Sequence, residues 1–145
     1  MSDSAHLTRE KLAALAWARM QDIVLSNDRK AELRDALGLG RGSGRVKTLL
    51  GLTDGPLTLG AIAEMIGVDA PYATLIVNEL QARGLVVRAP TADDRRRKLV
   101  ALTEAGEQAA HTAQAIVDRP PVALLERLSE SELAQLAGLL GRLSK

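Results

Sequence analysis

Thr58-Leu59-Gly60-Ala61-Ile62-Ala63-Glu64-Met65-Ile66-Gly67-Val68-Asp69-Ala70-Pro71-Tyr72-Ala73-Thr74-Leu75-Ile76-Val77-Asn78-Glu79-Leu80-Gln81-Ala82-Arg83-Gly84 is the stretch on which the fold of this chain turns. Thr58 is a good N-cap for a helix over Leu59 to Ile66, and Gly67 stands where such a helix closes. Asp69 caps a second helix, Pro71 is tolerated in its first turn, and Gly84 stops it after about Arg83. Within it Ala73, Ile76, Val77 and Leu80 recur at i, i+3, i+4 and i+7. That apolar face is expected to pack against Ile62, Ala63 and Ile66. Two short helices joined in this way form a helix-turn-helix.

Downstream, residues 85–89 and 98–102 are short, β-branched-rich segments flanking a polar loop, which predicts a hairpin. Its tip reads Asp93-Asp94-Arg95-Arg96-Arg97-Lys98. A helix pair followed by a basic hairpin at this spacing predicts a winged helix-turn-helix. The second helix would enter the major groove of DNA, and the wing would reach neighbouring phosphates or the minor groove.

The flanks are helical. Residues 6 to about 26 form one pattern free of Gly and Pro, with Leu12, Leu15, Ala16, Arg19, Ile23 and Ser26 on or beside one stripe. A second helix covers 29–37. Residues 38–44 are a glycine-rich linker without the Gly-Lys-Ser/Thr ending of a nucleotide loop. A helix over 45–52 leads to the turn Asp54-Gly55-Pro56. Thr103 caps a helix to about Asp118, and Pro120-Pro121 must break or restart it. Ser129-Glu130-Ser131-Glu132 is a capping box for a last helix carrying Leu133, Leu136, Leu140 and Leu143.

The fold expected is mainly α with a small β-hairpin wing. Residues 41–102 are the winged helix-turn-helix DNA-binding region, intertwined with a helical dimerisation region over 1–40 and 103–145. The last helix exposes more apolar surface than one small wing domain covers, so a homodimer is expected. Two-fold symmetry then sets the reading helices about 34 Å apart, one duplex turn, over a palindrome.

Composition narrows the chemistry. The 145 residues have 46% hydrophobic content but no Phe, one Trp and one Tyr, so the core must be aliphatic, which suits packed helices. Trp17 is expected in core or dimer packing. Cysteine is absent, which excludes disulfides, thiolate metal sites and thiol redox sensing. With two histidines far apart, no metal site and no cofactor are expected. No apolar run approaches the ~20 residues of a membrane helix and the start lacks signal-peptide character, so a cytoplasmic protein is expected. The net charge of +1 is unevenly divided: residues 41–98 hold nine basic and six acidic groups, while 99–145 hold four and six. A polyanion would be met in the middle of the chain.

On the second helix, the face opposite the apolar one carries Pro71, Thr74, Leu75, Asn78, Glu79 and Ala82, with Tyr72 at its flank. Thr74 and Asn78 are candidates for hydrogen bonds to bases, Leu75 for a thymine methyl, and Tyr72 for a phosphate. Arg95, Arg96, Arg97 and Lys98 are candidates for wing contacts, because like charges packed together repel unless an anion neutralises them. Asp94 is expected to orient Arg96. Arg41, Ser43, Arg45, Lys47 and Thr58 are candidate phosphate contacts near helix starts. The bland readings stay open: Thr74 and Asn78 as solvated polar positions, and the wing as a solvated charged turn. A second functional class also stays open, a winged helix that binds protein rather than specific DNA, as Leu75 and Glu79 would suit. No nucleophile–base set, carboxylate pair with a base or metal constellation supports an enzyme.

From Leu49 to Gly106 the chain resembles the MarR family of bacterial winged-helix transcriptional regulators. The matching strings are Leu57-Thr58-Leu59-Gly60-Ala61-Ile62-Ala63, Val68-Asp69, Leu80-Gln81-Ala82-Arg83-Gly84-Leu85-Val86, and Asp94 through Gly106. The last, an Asp-x-Arg wing followed by a Leu-Thr helix start, is the most specific. The resemblance implies a dimer with interlocked terminal helices and two winged domains on one palindrome. It further implies repression relieved by a small ligand bound between the two regions. Asp94 and Arg96 take the wing roles, and Pro71, Tyr72, Thr74, Leu75 and Asn78 occupy recognition-helix positions. Leu75 departs from the family, which frequently has a basic residue there.

Overall fold

Capping chemistry decides where most helices begin. The structure is a computed structural model and describes residues 7–39, 43–90 and 98–144. Its elements in chain order are α1 (Arg9–Ser26), α2 (Lys30–Leu37), α3 (Gly44–Gly51), a 3-10 turn (Leu52–Asp54), β1 (Leu57–Thr58), α4 (Leu59–Ile66) and α5 (Ala70–Ala82). These are followed by β2 (Val86–Pro90), β3 (Lys98–Leu102), α6 (Glu104–Asp118), α7 (Val122–Arg127) and α8 (Glu130–Gly141). Thr8, Thr58, Asp69, Thr103 and Ser129 each accept a backbone N–H from the first turn of the helix they precede. At Ser129 both halves of the capping box form, with Glu132 returning a bond to the Ser129 N–H at 2.9 Å.

The described residues of 29–119 make one compact unit, and α1, α7 and α8 belong to another. In the first, α4 and α5 are bent 106° from each other, within the helix-turn-helix range. The bend is made by Gly67-Val68-Asp69. Gly67 adopts φ 72°, and Val68 N–H closes back on Ala63 O at 3.0 Å. Gly84 ends α5 in the same way at φ 73°, with Leu85 N–H on Leu80 O at 2.9 Å. Both are left-handed closures that a side chain would strain.

The sheet has three antiparallel strands in the order β1-β3-β2. The hairpin β2–β3 runs from Val86 opposite Leu102 to Pro90 opposite Lys98, so its proline lies on an edge strand. The sequence predicted only this hairpin. β1 adds a third strand, pairing Leu57 with Val100 and Thr58 with Leu99.

One aliphatic core joins the helices to the sheet: Leu49, Leu52, Ile62, Ile76, Val77, Leu80, Val86, Val100 and Ala110 are buried together. The expected α4–α5 contact face is inside it, with Ile66 at its margin. On α6, Gly106, Ala110, Ala113 and Ile116 form the buried stripe. α2 is fastened to α6 by polar contacts: Arg29 donates to Ile116 O, and Arg119 makes a two-pronged bond to Glu32 at 2.8 and 2.5 Å. The winged unit thus takes in α2 and α6 as well as 41–102.

In the other unit, α1, α7 and α8 have no buried residue. Pro120-Pro121 both breaks the chain and restarts it, giving the separate short helix α7. Trp17 is 59% exposed, so it is not core within one chain. Among the described residues no single helix is long and apolar enough to cross a membrane.

Candidate nucleic-acid interface

The outward face of α5 is braced by two arginines from other elements, Arg45 and Arg88, while its own C-cap residue Arg83 anchors its end. Ala73, Ile76, Val77 and Leu80 bury the opposite face, which leaves Pro71, Tyr72, Leu75 and Asn78 exposed and Thr74 half-buried. The helix begins under control of Asp69, whose Oδ1 accepts from Tyr72 N–H at 2.8 Å. Its end is tied down where Arg83 Nη1 donates to Gly38 O at 2.6 Å.

Arg45, in the first turn of α3, donates through Nε to Glu79 Oε2. The arginine side chain is 11% exposed, and the carboxylate is 39% exposed. The hydrogen bond from Arg45 holds the Glu79 carboxyl below its ordinary value, and the Arg45 guanidinium is raised chiefly by Glu79, with Tyr72 adding to it. Arg45, a candidate phosphate contact, is paired with Glu79. The pairing has a physical consequence for a DNA-facing helix, because an unneutralised carboxylate there would repel the backbone.

Arg88, on β2, reaches back to α5. Its Nη2 donates to Asn78 Oδ1 at 2.7 Å and its Nη1 to Gln81 Oε1. Neither Arg88 nor Gln81 was among the candidates from sequence. The available signal was strand alternation: Arg88 shares a face with buried Val86, and a cation on the inward face of a strand requires partners. Next to this contact a cleft of about 410 Å³ is lined by Leu59, Gln81, Arg88, Lys98 and Val100. It opens between the helix pair and the wing with two cations on its wall.

The remaining candidates divide clearly. Thr74 Oγ1 donates to Ala70 O at 3.0 Å, so towards a base it acts as an acceptor. Thr58 Oγ1 accepts from Ala61 N–H at 3.1 Å and keeps its hydroxyl proton to give. Ser43 precedes α3 without making a side-chain cap, and both Ser43 and Lys47 are exposed. Lys98 is exposed at the base of the hairpin. Arg41, Asp94, Arg95, Arg96 and Arg97 lie outside the described residues. No group of three potential metal ligands occurs among the described residues.

Residues 46–97 match the model of the MarR family. The solved structures similar to this chain include the YusO protein of Bacillus subtilis, at 22% identity and TM-score 0.73 over 95% of this chain and 98% of YusO. MarR from E. coli in its apo form is 23% identical with TM-score 0.69, over 88% and 96%. A variant of MepR from S. aureus, bound to an oligodeoxyribonucleotide, is 25% identical with TM-score 0.61, over 91% and 94%.

Proposed function

We propose that this chain, a MarR-family winged helix-turn-helix protein, is a sequence-specific double-stranded-DNA-binding transcriptional regulator. The observation that carries the reading is the outward face of α5. Its one carboxylate is neutralised by Arg45, its two amides are held by Arg88, and its apolar residue Leu75 stands 48% exposed beside them. A helix braced from α3 and β2 and anchored at its end, with polar groups presented outward, suits readout of base edges, since rigid positioning lowers the ordering cost of binding. The DNA bound by the MepR variant supports the same direction.

The regulator acts as a homodimer on a palindrome. Helices α1, α7 and α8 bury none of their residues in one chain, while Leu12, Leu15, Trp17, Val24, Leu25, Leu125, Leu139 and Leu140 are exposed on them. So much apolar surface on three helices calls for a second copy to cover it. Repression by occupancy of the operator is the simplest regulatory outcome. A small-molecule effector is best sought at a cleft of about 550 Å³ lined by Leu52, Pro56, Leu102, Glu107, His111 and Gln114, which pairs aliphatic walls with polar groups.

Selection from a pool of random duplexes, with sequencing, tests the reading on the intact chain and on Arg96→Ala. Enrichment of a palindrome with half-sites about one turn apart, weakened in the variant, is the expected result. Failure to enrich any sequence would instead favour a winged helix that binds protein, a use for which exposed Leu75 is suited.

A further inference from the structure

Asn78 and Gln81 stand one turn apart on α5, and both turn an oxygen to the same guanidinium. The direction of these bonds is fixed by chemistry, because arginine carries five N–H donors and no acceptor. An amide bonded to Arg88 must therefore present its oxygen, leaving its NH2 group to point elsewhere. Both residues are exposed. Among the described residues their side chains make no hydrogen bonds other than those to Arg88.

We propose that Arg88 sets the hydrogen-bond polarity of the reading helix, making this part of α5 a donor surface that selects guanine over adenine opposite Asn78. The inference rests on the DNA-reading function above. An unrestrained asparagine in the major groove pairs with adenine through two bonds, accepting from N6–H and donating to N7. At Asn78 the oxygen is engaged, and the guanidinium charge beside it opposes a second N–H approaching from adenine N6 or cytosine N4. Guanine offers two acceptors on the same edge, O6 and N7, and no donor. Thymine offers only O4. Gln81 repeats the arrangement three residues on, so the donor character extends towards the end of the helix. Arg88 acts here as a positioning residue: it need not touch a base to choose one.

The test is duplex selection with sequencing, run on the intact chain, Asn78→Ala, Arg88→Met, and the double variant. The intact chain is expected to prefer guanine over adenine about ten-fold at one half-site position, the scale of a single good base contact. Asn78→Ala flattens that position and identifies it. Arg88→Met brings the guanine-to-adenine ratio there to about one or below, and adds no further change at that position in the Asn78→Ala background. Arg88→Lys, which keeps the charge but cannot grip both oxygens, falls between, and thermal melts confirm that the variants are folded. A uniform loss across all positions would overturn the proposal, as would an adenine preference of the intact chain at the Asn78-dependent position. If the intact chain enriches nothing, the DNA-reading function fails and this inference with it. If it enriches an operator whose Asn78-dependent position ignores Arg88, the inference alone fails.

Discussion

Replacing Gly106 by alanine sets two opposing effects against each other, and the geometry decides the sign. Gly106 is buried in the first turn of α6, where its N–H donates to Thr103 Oγ1 at 3.0 Å. Helix propensity alone favours alanine by up to about 1 kcal/mol. The added Cβ, however, would stand 1.9 Å from Leu85 O, 2.9 Å from Leu85 C and 3.2 Å from Leu102 Cδ2. Ordinary contacts lie near ~3.5 Å, so α6 and the α5–β2 junction must part by about 1.5 Å. They cannot part freely. Leu85 O accepts from Thr103 N–H at 3.1 Å, and Gly84 O accepts from Thr103 Oγ1 at 2.6 Å. Overpacking costs about 1–3 kcal/mol, and two weakened hydrogen bonds about 1 kcal/mol each. Net of propensity, the variant should lose about 2–4 kcal/mol. For a unit of this size each kcal/mol is worth roughly 4–8 °C, so its melting temperature should fall by about 10 °C or more. Thermal melts followed by far-ultraviolet circular dichroism measure this, with Gly60→Ala as control because its Cβ meets nothing within 4 Å. The control should hold or gain stability. A Gly106→Ala protein that melts at or above the parent would refute the close approach of α6 to Leu85.

Three further outcomes are expected. Asp69→Ala removes the cap on α5 and should cost about 1 kcal/mol in chemical denaturation, with Asp69→Asn recovering most of it; equal losses in both would show that the cap is not the cause. The depressed Glu79 carboxyl stabilises the fold above the ordinary carboxylate range, and that contribution is lost as pH falls through its lowered folded value. The stability gap between the parent and Glu79→Gln should therefore shrink on acidification, and a gap that widens would contradict the pairing with Arg45. In DNA binding, a dimer neutralising about four or five phosphates per chain should give a log–log salt slope near −7 to −9; a slope half as steep would point to one chain on the duplex.

What the sequence disclosed and what it hid follow one physical division. Thr58, Asp69, Thr103 and Ser129 announced their helices because a cap is satisfied within three residues of itself. Likewise Ala73, Ile76, Val77 and Leu80 carried their burial in their spacing. β1 was invisible, since two residues become a strand only when β3, some forty positions later, supplies partners. The partner of Arg45 was hidden for the same reason: Glu79 is 34 residues away. Charge type was legible, but whether a cation is free or engaged is a property of the folded chain. Arg88 was hidden likewise, because its partners Asn78 and Gln81 stand on a different element and meet it only in the folded chain.

The short pairing of Leu57 with Val100 also has an engineering meaning. Those positions bracket the helix-turn-helix and the wing, and as antiparallel neighbours they lie only about 5 Å apart. The segment between them therefore has adjacent ends, but it shares its core with Leu49, Leu52 and Ala110 and its Glu79 with Arg45, so a graft must match those partners as well as the strand junction. On the proposed DNA-reading function, exchange of the segment 57–100 between related chains is expected to carry base preference with it.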